Sequence, residues 1–185
     1  TGKNKRLQDE LPSFGELLVR GGLEKMEQKP GLSKAGKPLF CDMILAHKCF
    51  FRCQMCTEWK NSGGTPAISL AECKKFVDQL GEVVDYSLDI NIMGGEPLAI
   101  DWVLPLCDYI VEKRYNPIIS TNAYLIDEKM AKQIADSHLK VLAISLDGIN
   151  PGTHDAIRGK PGAYEHVMNA LDYLNKYRKK DLHLV

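Results

Sequence analysis

Three of the six cysteines in this 185-residue chain fall in one run, Cys49-Phe50-Phe51-Arg52-Cys53-Gln54-Met55-Cys56. Thiolates are soft ligands that select zinc and iron–sulfur centres. A structural zinc site takes four closed ligands, usually as two separated pairs. A ferredoxin-type cluster also takes four thiolates. Three thiols in one short loop, with no obvious fourth, leave a coordination position open, and a metal does its chemistry at an open position. A closed Cys3His zinc site is the alternative, with His47 or a distant residue as the fourth ligand. The cysteines by themselves leave both readings standing.

Further polar and glycine signals recur downstream. They are Gly94-Gly95-Glu96-Pro97, Ser120-Thr121-Asn122, Ser145-Leu146-Asp147-Gly148 and His154-Asp155-x-x-Arg158-Gly159. Each is weak alone. Gly-Gly-x-Pro is an ordinary turn signal, and Ser145 and Asp147 suit turns or caps. Arg158 alone also reads as half of a surface ion pair. His154 reads as a residue that orients the loop holding Arg158.

The elements that must position these residues follow from periodicity. Leu39–Ala46 reads as a strand, with the cysteine loop directly after it. Ser69 and Glu72 form a capping box for a helix with Leu70, Cys73, Phe76, Val77 and Leu80 on one face. Residues 86–93 predict a second strand, and Asp101 predicts the cap of a helix carrying Val103, Leu106, Cys107, Ile110 and Val111. A third strand is expected over 117–121, then a helix opened by Asp127. A fourth strand over 140–146 follows, then a helix after Pro161-Gly162. A fifth strand begins at Leu182.

Strand and helix alternating in this way predict a parallel α/β sheet. Both a (β/α) barrel and a doubly wound sheet fit that alternation. The signals sit at the C-terminal ends of four successive strands, as in barrel enzymes, which favours a partial TIM-like barrel. Within the second strand, Asp89 and Asn91 are expected on the interior face of the sheet and Leu88, Ile90 and Ile92 on the helix-facing side. No Gly-x-Gly-x-x-Gly follows the first strand, so a dinucleotide fold is not indicated.

Composition bounds the partners. Lys plus Arg and Asp plus Glu are equal at 24 each, so nothing indicates a nucleic-acid surface. The basic run 176–180 reads as the charged end of a helix. No apolar run is long enough to span a membrane. The basic N-terminus lacks the apolar stretch of a signal peptide as it stands. Cys41, Cys73 and Cys107 fall inside apolar patterns and read as small core residues, which points to a reducing cytoplasm. Two segments are expected. Residues 1–37 form an N-terminal extension, with a short helix capped by Ser13 and Glu16 and then a linker; residues 38–185 form the core.

With its motifs in this order, the chain resembles the radical S-adenosylmethionine (radical SAM) superfamily, closest to the branch of the molybdenum-cofactor biosynthesis enzyme and the peptide maturases. The resemblance runs from about Leu39 to the C-terminus. It implies an iron–sulfur enzyme, an oxidoreductase or transferase of unknown substrate. Cys49, Cys53 and Cys56 would bind a 4Fe-4S cluster, and S-adenosylmethionine would chelate the fourth iron. Reductive cleavage would yield a 5′-deoxyadenosyl radical that abstracts hydrogen from substrate.

The resemblance also implies the contacts of S-adenosylmethionine: Gly94, Gly95 and Glu96 at its amino group, Arg158 at its carboxylate, Ser145 with Thr121 or Asn122 at ribose or methionine, and Met55 beside adenine. Met55 departs from the family, which has an aromatic residue there. An electron donor such as a flavodoxin or ferredoxin is implied; no single catalytic side chain is. The family core carries more β/α units than the four readable here, so a barrel truncated after about four units is expected. The competing class is a non-catalytic zinc or iron–sulfur module, or a degenerate relative.

Overall fold

The computed structural model describes residues 38, 40–46, 49–60 and 68–185. The helix expected after Ser13, the linker, Leu39 and His47 lie outside the described residues. All that follows belongs to one unit, Leu39–Val185.

Five parallel strands form one sheet: β1 Phe40–Ala46, β2 Asp89–Gly94, β3 Asn116–Thr121, β4 Val141–Ile144 and β5 His183–Leu184. Between them lie α1 Leu70–Val83, α2 Val103–Glu112, α3 Glu128–Asp136, α4 Pro151–Arg158 and α5 Ala163–Tyr177. The strands lie side by side in chain order, β1 to β5. A doubly wound sheet reverses its order at a switch point and binds ligands there. Here there is no reversal, so the strand ends form one continuous rim, as in part of a barrel.

The two faces of the sheet differ chemically. Met43 and Leu45 of β1, Ile90 and Ile92 of β2, Ile119 of β3 and Leu142 of β4 are buried in the core. The alternate positions carry Asp42 and Ile44, Asp89, Asn91 and Met93, and Asn116, Ile118 and Ser120. Asp89 and Asn91 thus share the face away from the core, as expected from the period of two. Asn91 is the hub there. Its Nδ2 donates to Asp42 Oδ1 (2.8 Å), and its Oδ1 accepts from Ser120 Oγ (2.9 Å).

Local chemistry sets the helix boundaries. Ser69 and Glu72 make the expected reciprocal capping box on α1, and Asp127 caps α3 through Met130 N. Asp101 does not cap α2. A 3-10 turn, Pro97–Ala99, takes up the preceding chain, and Trp102 occupies the cap position with no side-chain bond. β2 starts at Asp89 rather than 86, and β4 spans only 141–144. The helix α4, not anticipated from periodicity, is capped by Asn150 with Pro151 in its first turn. α5 ends at Tyr177, so only Lys176 of the basic run lies in its last turn.

α3 packs on α5, and Glu128 joins them. It accepts a short hydrogen bond from Tyr177 and pairs with Lys176 and Lys132. Tyr177 first, then Lys176, hold its carboxyl down at about 2. A carboxyl depressed in the fold stabilises fully above its unfolded value of about 4.3. That contribution is lost as pH falls through about 2. Tyr177→Phe should raise the Glu128 pKa in an NMR titration. The face assignment has a separate test in chemical denaturation. Ile92→Ala should cost about 2–5 kcal/mol, while Ile44→Ala on the open face should stay within about 0.5 kcal/mol.

Candidate functional site

The cysteine loop follows β1 and docks on α4. Gln54 N donates to Ile157 O (2.9 Å), and its side chain donates to Ala156 O (3.0 Å). Gly159 ends α4 with φ of +58°, a left-handed conformation that favours glycine. A side-chain carbon at Gly159 would collide with the Arg52 carbonyl, so glycine also permits the docking. Inside the loop, Arg52 Nη1 donates to the carbonyls of Cys49 and Phe51, and Trp59 Nε1 donates to Cys53 O.

All six cysteines are free thiols. Among the described residues, each sulfur of the loop accepts one N–H. Phe51 N donates to Cys49 Sγ (3.4 Å), Glu58 N to Cys56 Sγ (3.4 Å) and Arg158 Nη1 to Cys53 Sγ (3.9 Å). Hydrogen bonds to sulfur of this kind tune thiolate-held iron–sulfur centres. Burial, first, and the nearby Glu96, Cys53 and Cys56 push the Cys49 thiol up, against the Phe51 amide. Among the described residues no three His, Cys, Asp or Glu side chains converge on a single-ion site. Three free thiols in one loop, each with an N–H donor on its sulfur, are soft donors of the kind that iron–sulfur centres take, so the donor set fits a cluster.

An aromatic group covers the loop. Phe50, Phe51 and Tyr124 meet in edge and tilted contacts of 5.3–5.5 Å. Tyr124 also stacks on His166 at 3.8 Å. These residues were not legible as a group, because the contacts join three separate segments. Phe51, Cys53 and Ala163 form a small buried cluster of their own, apart from the main core.

The rim beyond β2 and β3 is held by a buried carboxylate. Glu96 is 2% exposed. Its Oε1 accepts from Thr121 Oγ1 (2.7 Å) and Leu98 N (3.1 Å), and its Oε2 accepts from Asn122 N (2.8 Å). Burial pushes this carboxyl up, and the three donors oppose the shift. A carboxylate offers about four acceptor positions, so roughly one remains for a ligand amine. Thr121 Oγ1 also accepts from Ala123 N. Its hydroxyl is therefore engaged on both sides and serves the rim. Gly94 has φ of +130°, a conformation that excludes ordinary side chains.

Beyond β4, Ser145 N donates to Thr121 O (3.0 Å), which ties that rim segment to β3. Asp147 N donates to His154 Nδ1 (3.2 Å), so the proton of a neutral His154 is on Nε2. Burial and then Arg158 push the His154 pKa down. His154 thus orients the loop between β4 and α4. Arg158 lies between Asp147 and Cys53. Met55, by contrast, is 60% exposed.

A cleft of about 500 Å³ lies between the start of α2 and α3, lined by Leu104, Asp108, Met130 and Gln133 among others. None of the expected ligand residues lines it. The rim, rather than this cleft, gathers Cys49, Cys53, Cys56, Glu96, Thr121, Asn122, Ser145 and Arg158.

Two substitutions test this construction. Gly159→Ala should cost more than about 1 kcal/mol and speed the reaction of Cys53 with a thiol reagent. Glu96→Gln places an amide among hydrogen-bond donors, and its cost in denaturation should be about 2–3 kcal/mol.

The Radical SAM superfamily model matches residues 43–185. A mycofactocin maturase, MftC, of Mycolicibacterium smegmatis is 30% identical over 138 residues, 75% of this chain and 34% of that protein. An AdoMet-dependent heme synthase of Methanosarcina barkeri is 28% identical over 130 residues, 69% of this chain and 36% of that protein. Streptococcus suis SuiB, solved bound to precursor peptide SuiA, superposes with a TM-score of 0.66 at 20% identity. That superposition covers 80% of this chain and 32% of SuiB. The chain therefore spans about a third of the length of these relatives. With the family model matching most of its length, the chain belongs to the radical SAM superfamily.

Proposed function

We propose that this chain is the cluster-bearing core of a radical SAM enzyme. The observation that carries the reading is the donor set: three free thiols in one loop, each sulfur with one N–H donor, beside the rim of a parallel sheet. Cys49, Cys53 and Cys56 would hold a 4Fe-4S cluster, and S-adenosylmethionine would occupy the position the three thiolates leave open. When bound, the pair supplies reductive cleavage of the sulfonium and hydrogen abstraction from a substrate.

The chain's own residues bind and orient. Gly94 and Gly95 leave the rim backbone bare for close approach. Glu96 offers its remaining acceptor position to an amine, and Thr121 holds Glu96 in place. Asn122 and Ser145 offer polar groups to ribose or the methionine portion. Met55 packs its thioether against the edge of adenine. The Arg158 guanidinium suits the methionine carboxylate. The core covers 38–185, with 1–37 as an appended extension.

A reducing partner such as a flavodoxin or ferredoxin delivers the electron in this reading, and the cytoplasm is the compartment that keeps the thiols free. No helix among the described residues is long and apolar enough to cross a membrane.

Anaerobic reconstitution tests the proposal. The expected result is about four irons and four sulfides per chain, lost in Cys49→Ala, Cys53→Ala and Cys56→Ala. Reduced protein given S-adenosylmethionine should release 5′-deoxyadenosine. Zinc without iron, after anaerobic purification from iron-replete cells, would overturn the reading.

A further inference from the structure

Arg158 makes two charged contacts at once. Its Nη1 lies 3.9 Å from Cys53 Sγ, and its Nε lies 2.5 Å from Asp147 Oδ2. The side chain is only 15% exposed. Despite its nearness to Asp147, Nε makes no well-aligned hydrogen bond. It is one of two buried side-chain nitrogens so left among the described residues, the other being His154 Nε2. The guanidinium is therefore held by charge and by its position at the end of α4 more than by a directed bond.

The three thiols are not equivalent. Cys53 is buried, at 7% exposure, while Cys49 and Cys56 are partly exposed. Cys49 and Cys56 accept from backbone amides, and Cys53 accepts from a charged side chain. Among the described residues, the full positive charge aimed at a sulfur of this loop thus falls on the most buried one.

We propose that Arg158 is a positioning residue that makes the metal centre easier to reduce, by placing a fixed positive charge against the Cys53 sulfur. The proposal rests on the cluster reading above. An electron added to a thiolate-bound cluster adds negative charge to a group already negative. A cation nearby stabilises the reduced form more than the oxidised one, and hydrogen bonds to sulfur act in the same direction. A partly buried position strengthens that effect, because solvent screens it less. Arginine suits the task, since its charge persists at every accessible pH. Asp147 keeps the guanidinium in place without occupying the face toward Cys53.

This role is separable from binding a ligand carboxylate. Guanidinium carries five N–H donors, and with Nε toward Asp147 and Nη1 toward Cys53, Nη2 is left for a carboxylate. Substitution of an arginine that only binds the carboxylate would leave the cluster potential unchanged when S-adenosylmethionine is absent. A residue acting through Cys53 would not.

The test is a redox titration of the reconstituted protein, followed by EPR and carried out without S-adenosylmethionine. Wild type, Arg158→Gln and Arg158→Lys are compared, with iron counted in each. All three should carry about four irons. The midpoint of R158Q should lie below that of wild type. R158K, which keeps a charge but loses the fork, should fall between them. Variants that titrate at the wild-type potential would overturn the proposal. If R158Q holds no cluster, the potential of R158K decides alone. A wild-type chain without a cluster would instead overturn the cluster reading, which the iron count shows directly.

Discussion

The loop that carries Cys49, Cys53 and Cys56 has no helix or strand of its own, and its position depends on the close approach of the Arg52 carbonyl to Gly159. That approach is possible only because residue 159 has no side chain and adopts a left-handed conformation. Once it is made, Gln54 reaches the last carbonyls of α4 and Arg158 comes to rest beside Cys53. The thiols are thus arranged by a helix about one hundred residues further along the chain. A loop positioned from outside in this way holds its thiols in a defined place.

The sheet supplies the other half of the site. Its strands follow chain order without reversal, so every strand ends on the same rim. The rim would be a loose set of turns if nothing joined them. Glu96 joins β2 to β3 through a fully buried carboxylate, and the bond from Ser145 N to Thr121 O joins β4 to β3. A buried carboxylate persists only where donors compensate it, and three do so here. Glu96, which the resemblance offers as a ligand, thus has a structural part in building the rim itself.

Much of the fold was legible because alternation survives in β2 and part of β3, where one face meets the core and the other carries Asp89, Asn91, Asn116 and Ser120 beside Ile118. Ser69 with Glu72, and Asp127, marked helix starts by chemistry that acts within three or four residues. α4 was missed because eight residues with few apolar positions show no periodic stripe, although Asn150 followed by Pro151 was a readable start. Asp101 misled because a 3-10 turn preceded α2 and displaced the cap to Trp102. The cysteines, Glu96 and Arg158 stood out by type and spacing. Their partners did not. Gln54, Trp59 and the Tyr124–His166 stack act through contacts that only the folded chain creates.

The central claim is that three thiolates leave one coordination position for S-adenosylmethionine, which the rim then grips. Electron–nuclear double resonance on the reduced, reconstituted protein tests it most directly, with S-adenosylmethionine labelled with nitrogen-15 at its amino group. The account predicts a nitrogen-15 coupling to the cluster that vanishes with unlabelled ligand. A reduced cluster that shows no such coupling at saturating S-adenosylmethionine would contradict it.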